Sequence, residues 1–263
     1  MDYRKTALIT GASSGIGYEL TKLFAHDGYN LILVARNHKQ LMQVADELKE
    51  KHGVSVKVIS KDLSMASAPE EIFRELEQEA IEIDALVNNA GFATYGLFSE
   101  TDLDAELQMM QVNMVTLTHL TKLLLPGMLQ KRTGKILNVA STAAFQPGPL
   151  MANYYATKAY VLSFSEALAD ELRGTGVNVT ALCPGATESG FQKRANMQDS
   201  KLFTGKILDA QTVARIGYRG LMTNKTVVIP GLRNKILVES VRFFPRKIVR
   251  RVVRNMQESI HKR

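Results

Sequence analysis

Short apolar runs alternate with longer amphipathic stretches along most of the chain. The apolar runs contain few regular polar positions, which is typical of strands buried on both faces of a parallel sheet. They lie at residues 6–10, 30–35, 55–60, 85–88, 135–140, 177–183 and 227–229. Stretches with a helical period lie between them, as at 19–27, 38–51, 69–80 and 155–173. This alternation predicts an α/β fold, a single doubly wound parallel sheet of about seven strands with helices on both faces.

Glycines mark where several predicted helices end. Gly28, Gly53, Gly134 and Gly176 each follow a helical stretch, and we expect a left-handed cap at each of them. No linker, internal repeat or low-complexity segment divides the chain. We therefore expect one domain over residues 1–232, followed by a basic helical extension over residues 233–263.

The net charge of +7 suggests nucleic-acid binding until it is located along the chain. Residues 233–263 hold ten Lys/Arg and two acidic residues, so they carry +8 and the rest of the chain carries −1. A nucleic-acid footprint needs a basic face on the body of a protein, and this body is electrically ordinary. We expect no nucleic-acid partner.

Cysteine and histidine content narrows the class of protein further. Cys183 is the only cysteine, which excludes an internal disulfide and fits a reducing compartment. The five histidines show no ligand spacing, so we expect no metal site. The first apolar run is too short for a signal peptide, and no window of about 18 residues lacks charge. These features favour a cytoplasmic protein.

A glycine-rich turn follows the first predicted strand and precedes a helix. It reads Thr10-Gly11-Ala12-Ser13-Ser14-Gly15-Ile16-Gly17. Such a turn lets backbone N–H groups approach a pyrophosphate at the positive end of the helix. The G-x-x-x-G-x-G spacing differs from the common G-x-G-x-x-G pattern, and alone it is also compatible with a plain tight turn. Its place at the first strand–helix junction favours a nucleotide site.

Further motifs follow in a fixed order along the chain. They are Asn88-Asn89-Ala90-Gly91, Asn113, Ser141, Tyr154, Lys158 and Pro184-Gly185. Together with the turn they resemble the classical short-chain dehydrogenases/reductases over residues 5–230. The resemblance implies a Rossmann-like fold, a nicotinamide cofactor and oxidoreductase activity. It also implies that Asn89, Ala90 and Gly91 lie beside the nicotinamide ribose and that Asp62-Leu63 contacts adenine. Without the other motifs, Asn88-Asn89 reads as a polar turn that closes a strand.

The charges after the second strand predict which nicotinamide cofactor is used. An NAD site usually places a carboxylate there to bond the ribose 2′-hydroxyl, but the first acidic residue after this strand is Asp46. Arg36 stands at the strand end instead, where a guanidinium pairs with a 2′-phosphate. His38 and Lys39 are candidates for a second phosphate contact. We therefore predict NADP(H), the alternative being a solvated arginine that caps the strand.

Tyr154 and Lys158 are four residues apart on a predicted helix and so share one face. A free tyrosine has a pKa of about 10, and a positive charge about 4 Å away lowers it by up to about three units. A tyrosine tuned in this way exchanges a proton with a carbonyl or alcohol oxygen. Tyr155, three residues from Lys158, is the competitor, and the Y-x-x-x-K spacing of the family selects Tyr154.

Ser141 and Asn113 complete the predicted catalytic set. Ser141 ends the fifth strand, where its hydroxyl can orient the reacting carbonyl; the family position selects it over Thr142. Asn113 is an amide among apolar neighbours and therefore needs partners. The resemblance makes it a kink residue that holds a water in a proton relay from Lys158. A satisfied core amide is the alternative.

The turn after the sixth strand is predicted to contact the nicotinamide through Pro184, Gly185 and Thr187. The family pattern has one more residue between the glycine and the threonine, so Thr187 has a rival in Ser189. Cys183 is interpreted as a buried strand-end residue rather than a nucleophile, since no histidine is near it in sequence. Residues 188–209 lack a clear element and are typical of a mobile lid. Its apolar candidates are Phe191, Met197, Leu202 and Phe203.

The basic extension contains an amphipathic helix. Ile248, Val249, Val252, Val253 and Met256 repeat at helical spacing, opposite Arg250, Arg251 and Arg254. Packing against its own sheet or a second subunit is one interpretation, and peripheral contact with an anionic membrane or an acidic partner is the other. Residues 230–235 with this extension faintly resemble reductases of long acyl or lipophilic ketones.

These features predict an oxidoreductase that transfers hydride between NADP(H) and a small-molecule carbonyl or secondary alcohol, lipophilic or 3-oxoacyl in character. A non-catalytic NADP-binding regulator or scaffold is the rival, and a basic membrane or nucleic-acid protein with an idle nucleotide fold is a third hypothesis. The resemblance also implies a homodimer or homotetramer that pairs the helices carrying Asn113 and Tyr154. The substrate's identity and stereochemistry are open at this point.

Overall fold

Parallel strands form the centre of the fold, which is given by a computed structural model that describes residues 4–194 and 207–258. The strands are β1 (Thr6–Thr10), β2 (Asn30–Ala35), β3 (Val56–Ser60), β4 (Ala85–Asn88), β5 (Gly134–Val139), β6 (Val177–Leu182), β7 (Thr187–Glu188), β8 (Leu208–Asp209) and β9 (Val227–Val228). In the described residues, seven of them form one parallel sheet in the order β3-β2-β1-β4-β5-β6-β9, and β7 pairs with β8 separately. The predicted doubly wound parallel sheet is confirmed.

Helices connect the strands and cover the sheet. They are α1 (Gly15–His26), α2 (His38–His52), α3 (Ala68–Gln78), α4 (Leu103–Met110), α5 (Leu117–Lys131), α6 (Ala152–Glu171), α7 (Phe191–Arg194), α8 (Ala210–Met222), α9 (Leu232–Ser240) and α10 (Arg246–Gln257). A π-helical turn, Gln111–Thr116, joins α4 to α5, and 3₁₀ turns lie at Thr142–Phe145 and Val241–Phe243. The chain alternates strand and helix as its hydrophobic pattern predicts.

Both faces of the sheet are buried because successive strand residues point to opposite sides. In β1, Ala7 and Ile9 join a core that includes residues of α1, α2 and α8. Leu8, between them, joins the core made with α3, α5 and α6. All five residues of β1 are buried, which explains the continuous apolar runs in the sequence.

Two of the four predicted glycine caps are confirmed, at Gly28 and Gly53, with φ angles of 79° and 62°. Gly176 is also left-handed (φ 89°), but α6 ends at Glu171, so this glycine lies in the turn before β6 rather than at a helix cap. Gly134 instead begins β5, and the left-handed residue that ends α5 is Arg132, with φ 53°. A Cβ on Gly134 would lie 2.7 Å from the sulfur of Met128. Packing of the methionine, not backbone conformation, therefore requires the glycine.

The strand order places a crevice where the connections change direction. Chain connections run outward from β1 on one side and from β4 on the other. Ligands of open α/β sheets bind at such a switch point, outside the carboxyl ends of the strands. The glycine turn, Asn88-Asn89, Ser141 and the Pro184-Gly185 turn all follow strands at this edge.

The C-terminal segment packs back onto the body. The predicted helix of the basic extension is present as α10, and its Val249 and Val253 are buried. They belong to a cluster with Met151, Tyr154 and Tyr155, so the helix packs beside the predicted catalytic residues rather than on the sheet. Across residues 4–194 and 207–258, no helix combines the length and apolarity needed to span a bilayer.

Candidate active site

One cavity of about 410 Å³ lies at the switch point and joins the glycine turn to Tyr154. This volume is within the range usual for small-molecule sites. The structure brings most of the predicted site residues to its wall. They are Gly11, Ser13, Ser14, Gly15, Ile16, Arg36, Asp62, Leu63, Asn89, Ala90, Gly91, Ser141, Tyr154, Lys158, Pro184, Gly185 and Thr187. Two predicted residues, Gly17 and Asn113, do not line it.

Gly17 serves packing inside the fold rather than contact with the cavity. A Cβ at this position would lie 2.2 Å from the carbonyl oxygen of Gly11 and 2.4 Å from Nδ2 of Asn89. The prediction that Gly17 contacts the cofactor is corrected accordingly: it lets α1 lie directly against the turn. Such close helix–strand packing is a known use of a glycine in nucleotide-binding turns.

The turn itself is held in place from β4. Nδ2 of Asn89 donates to the carbonyl oxygens of Thr10 (2.9 Å) and Gly11 (3.2 Å). Oγ1 of Thr10 accepts from the backbone N–H groups of Asn89 and Ala90, both at 3.0 Å. Asn89 therefore fixes the shape of the turn. A polar residue that only closes a strand would not need these bonds to the turn.

The N-terminus of α1 opens on the cavity without a competing negative charge. The helix begins at Gly15, with Ser14 as the cap residue and no acidic side chain in its first turn. Gly15 has a left-handed backbone conformation (φ +57°), and a Cβ at this position would lie 3.3 Å from the Cβ of Ser189. Free helical N–H groups and the helix dipole favour an anion here. These residues fit the pyrophosphate of a dinucleotide.

The far end of the cavity carries Arg36 and Asp62. The Asp62 carboxylate accepts from Ser64 N (3.0 Å) and Ser64 Oγ (2.8 Å), which lowers its pKa, and the Arg36 charge lowers it further. Arg36 is exposed directly after β2, as a residue that meets a 2′-phosphate must be. His38 and Lys39 do not line the cavity, so the suggested second phosphate contact is not supported.

Tyr154 stands at the opposite end, on the first turn of α6. Its hydroxyl lies beside the side chain of Ser141, which lowers its pKa, and its ring is buried. Ser141 caps the 3₁₀ turn by accepting from Ala143 N (3.1 Å), and it donates to the carbonyl oxygen of Pro184 (3.3 Å). The two hydroxyls thus share one spot on the cavity wall, where a reacting oxygen could contact both.

The pKa values differ from the expectation based on a nearby lysine charge. Burial raises the pKa of Tyr154 well above its usual value, and only the side chain of Ser141 opposes this. Nζ of Lys158 donates to the carbonyl oxygen of Val139 (2.8 Å) and lies 5.7 Å from the centre of the Tyr154 ring. Burial lowers the pKa of Lys158 to about 8. The predicted lowering of the Tyr154 pKa is therefore not seen in this structure, where desolvation is the largest effect.

Asn113 is a satisfied core amide in a π-helical turn. Its Oδ1 accepts from Phe92 N (3.2 Å), and its Nδ2 donates to Phe92 O and Thr157 Oγ1, both at 3.1 Å. A Cβ on Gly91 would lie 3.0 Å from Oδ1 of Asn113 and 3.5 Å from Nζ of Lys158. The predicted kink is present as the π-helical turn. The amide of Asn113 forms hydrogen bonds within the protein through both its oxygen and its nitrogen. Its role in a water relay stays a prediction.

Tyr155 has a partner that sequence reasoning missed. Nε2 of Gln257, at the end of α10, donates to the Tyr155 hydroxyl (2.5 Å). The hydroxyl of Tyr95 in turn donates to the carbonyl oxygen of Gln257 (2.7 Å). Burial raises the pKa of Tyr155 to about 12. The hydroxyl of this tyrosine is therefore committed to the C-terminal helix, which agrees with the choice of Tyr154 as the acid–base residue.

The turn after β6 behaves partly as predicted. Thr187 is buried on the cavity wall, and its Oγ1 donates to the carbonyl oxygen of Gly185 (3.0 Å). Ser189 also lines the cavity but lies against Gly15, at the pyrophosphate end. Burial raises the pKa of the Cys183 thiol to about 12. The predicted burial of this cysteine is thus confirmed, and its lack of reactivity stays a prediction.

The cavity wall near Tyr154 is mostly apolar. It includes Phe92, Val112, Ala143, Met151 and Phe191. The ring of Phe191 lies 5.6 Å from that of Tyr154. Of the other predicted lid residues, Met197, Leu202 and Phe203 lie outside the described residues. Within the part of the chain that is described, no group of three or more His, Cys, Asp or Glu side chains is arranged to hold a metal ion.

Comparison with known sequences decides between the families that share this fold. The sequence model of the short chain dehydrogenase family matches residues 5–200. The chain belongs to this family. Short chain dehydrogenases are oxidoreductases that use nicotinamide cofactors, and the glycine turn and α1 described above fit such a dinucleotide.

Individual short chain dehydrogenases resemble the chain to different extents. One from Pseudocercospora fijiensis is 38% identical over 187 residues, which is 70% of this chain and 60% of that protein. A very-long-chain 3-oxoacyl-CoA reductase from Anas platyrhynchos is 37% identical over 184 residues, or 68% and 58%. The chain therefore spans about three-fifths of the length of these two relatives.

A solved structure is similar over nearly the whole chain. The short-chain dehydrogenase from Sphingobium yanoikuyae in complex with NADPH is 32% identical, with a TM-score of 0.82. The similarity covers 91% of this chain and 94% of that one. The Rossmann-like fold expected from the sequence is thus confirmed.

Proposed function

We propose that this short chain dehydrogenase transfers hydride between NADP(H) and a lipophilic ketone or secondary alcohol. The observation that carries the proposal is the Tyr154 hydroxyl beside Ser141 on an apolar wall of the cavity that also holds the glycine turn. A module that only binds the nucleotide does not need a buried pair of hydroxyls beside it. When bound, the nicotinamide supplies or accepts the hydride.

Tyr154 acts as the acid in the reductive direction. Burial keeps its phenol protonated at neutral pH, so it has a proton to give to the carbonyl oxygen as that oxygen gains negative charge. Ser141 donates a hydrogen bond to the same oxygen and orients the carbonyl. In the oxidative direction the proton moves from the alcohol to the Tyr154 phenolate.

Lys158 makes the phenolate state accessible. With a pKa of about 8, its ammonium is still mostly charged at pH 7, and a charge near a buried phenolate favours that form. Asn113 lies next to Lys158 across Gly91, and we assign it the support of the lysine end of the proton path. Both roles are positioning and electrostatic.

Arg36 supports the choice of NADP(H) over NAD(H). It is an exposed guanidinium at the end of β2 on the cavity wall, where an NAD site usually has a carboxylate. We propose that it pairs with the 2′-phosphate. The relative from Sphingobium yanoikuyae was solved with NADPH, which agrees with this proposal.

The walls around Tyr154 support the proposed substrate class. Phe92, Met151 and Phe191 offer apolar surface, and Val249 and Val253 of α10 pack in the same cluster as Met151. Such walls favour an acyl chain or a bulky ketone over a polyol. We propose 3-oxoacyl compounds first, because a relative with 37% identity is a very-long-chain 3-oxoacyl-CoA reductase.

Turnover of a ketone panel with NADPH, followed by nicotinamide absorbance, tests the proposal. We expect reduction of 3-oxoacyl thioesters and lipophilic ketones, and loss of activity in Tyr154→Phe with NADPH binding retained. NADPH binding without turnover of any compound, with Tyr154→Phe unchanged in every assay, indicates the non-catalytic regulator instead.

We also propose a cytoplasmic homodimer or homotetramer, with residues 233–263 as an extension to the family domain. Exposed Leu103 and Leu107 on α4, Val115 on the π-helical turn and Tyr160 on α6 supply apolar surface for such pairing. Light scattering that finds a monomer at micromolar concentration removes the oligomer proposal.

A further inference from the structure

The C-terminal helices expose an unusual amount of apolar surface. Among the described residues, seven of the 16 exposed large apolar side chains lie between residues 232 and 252. They are Leu232, Ile236, Leu237, Phe243, Phe244, Ile248 and Val252. Phe243 is 82% exposed and Phe244 is 55% exposed. We call these side chains, with the basic residues among them, the C-terminal surface.

The same surface is strongly basic, and most of its charges have no acidic partner. Residues 232–258 hold eight Lys/Arg and two Glu. Glu239 pairs with Arg242 (3.7 Å), and Glu258 pairs with Arg254 (3.5 Å). The other six cations form no ion pair within the described residues: Arg233, Lys235, Arg246, Lys247, Arg250 and Arg251. This leaves a net charge of +6 beside exposed aromatic and aliphatic groups.

Helix α10 separates these two properties around its axis. Val249, Val253 and Gln257 face the body and are buried. Ile248 and Val252, one turn apart, lie on one exposed flank, and Arg250 and Arg254 lie on the other. The helix therefore has an inner apolar stripe that holds it to the protein, and an outer apolar stripe and a basic stripe that are exposed.

We infer that the C-terminal surface docks the protein on an anionic membrane. Exposed Phe, Leu and Ile enter the boundary between headgroups and acyl chains, and adjacent Arg and Lys pair with anionic lipid. A nucleic acid matches the charge but leaves the apolar groups in water. A second copy joined face to face matches the apolar groups but brings two charges of +6 together. Of these three occupants, the anionic bilayer complements both properties, and the inference does not depend on the proposed catalytic activity.

Vesicle co-sedimentation of the full chain tests the inference. We expect binding to vesicles of phosphatidylcholine mixed with phosphatidylglycerol, weak binding to phosphatidylcholine alone, and release by added salt. Phe243→Ser with Phe244→Ser lowers the affinity for the anionic vesicles by about tenfold or more. Arg250→Gln with Arg251→Gln also lowers it by roughly tenfold, and this loss disappears at high salt.

Matched variants elsewhere on the protein separate docking from general stickiness. Phe98→Ser removes an aromatic side chain that is 66% exposed on the body, and Arg215→Gln with Arg219→Gln removes two exposed arginines from α8. We expect vesicle binding of both to equal that of wild type. NADPH binding by each variant checks that the variant folds. If the Phe243→Ser, Phe244→Ser variant does not fold, the Arg250→Gln, Arg251→Gln variant still tests the inference.

Several results overturn the inference. One is no binding to anionic vesicles, and another is equal loss in the control variants. Binding of duplex DNA in place of vesicles assigns the surface to nucleic acid. A change from oligomer to monomer in the Phe243→Ser, Phe244→Ser variant, seen by light scattering, assigns it to a subunit interface.

Discussion

Replacing Gly17 by alanine probes the contact between α1 and the glycine turn. The added Cβ would lie 2.2 Å from the Gly11 carbonyl oxygen, whereas real Cβ contacts are longer than 3.0 Å. It would also lie 2.4 Å from Nδ2 of Asn89. Neither group can move away easily, because the Gly11 oxygen belongs to the backbone and Asn89 is hydrogen-bonded to the carbonyl oxygens of Thr10 and Gly11. The start of α1 must therefore move away from the turn.

The size of the effect follows from two opposing contributions. Overpacking of this kind costs about 1–3 kcal/mol, and replacing a helical glycine by alanine returns about 0.5–1 kcal/mol. The net loss of up to about 2.5 kcal/mol lowers the Tm by up to roughly 10 °C for a chain of this size. NADPH affinity falls by about tenfold, since the N–H groups that meet the pyrophosphate move with α1.

Gly127→Ala is the matched control. Gly127 is exposed inside α5, and a Cβ there meets nothing within 4 Å. This variant gains only the helical contribution, so its Tm rises by roughly 1–4 °C and its NADPH affinity stays unchanged. Differential scanning calorimetry and NADPH fluorescence titration measure both variants. A Gly17→Ala protein with wild-type Tm and wild-type NADPH affinity refutes the packing argument.

Three further predictions concern single side chains. Arg36→Asp lowers NADPH affinity by more than tenfold and leaves NADH affinity equal or improved, because it replaces a charge-assisted bond worth about 1.5–3 kcal/mol by repulsion; an unchanged NADPH/NADH ratio in titrations contradicts this. Tyr154→Phe abolishes turnover, whereas Tyr155→Phe retains it and loses only stability through its bond to Gln257; the opposite pattern in steady-state assays makes Tyr155 the acid. Burial lowers the pKa of Lys158 to about 8 in the folded protein, whereas its usual value in an unfolded chain is about 10.4. Between these two pH values the unfolded chain binds more protons at Lys158 than the folded protein does, so the free energy of unfolding rises with pH in this range. Lys158→Met removes that rise, which thermal unfolding across this pH range detects.

The sequence pattern was sufficient for the parts of the fold that depend on local periodicity. All seven apolar runs correspond to strands of the main sheet, since burial on both faces leaves a continuous apolar run. The cavity residues were found because the short motifs sit at strand ends, which parallel topology gathers at one edge. Gly134 was misjudged since its reason is the side chain of Met128, a tertiary contact.

Contacts between distant parts of the chain carried no sequence signal. The bond from Gln257 to Tyr155 joins residues 102 positions apart. Glu106 is buried and accepts hydrogen bonds from Thr94 (2.8 Å) and Asn153 (2.9 Å), next to Tyr154. The pKa of Tyr154 was misjudged for a related reason: its degree of burial depends on Phe191 and α10, which pack over it.

In the sequence, α10 lies outside the part of the chain that contains the proposed catalytic residues. The proposed catalytic residues lie within residues 5–200, the part shared with the family, whereas the helix that packs against Met151, Tyr154 and Tyr155 spans Arg246–Gln257. Evolution can therefore exchange or reshape this last helix, and so change the packing behind Tyr154 and Met151, while the proposed proton path stays within the family domain. A chimera that takes α10 from a relative with another substrate offers a direct route to redesigning selectivity.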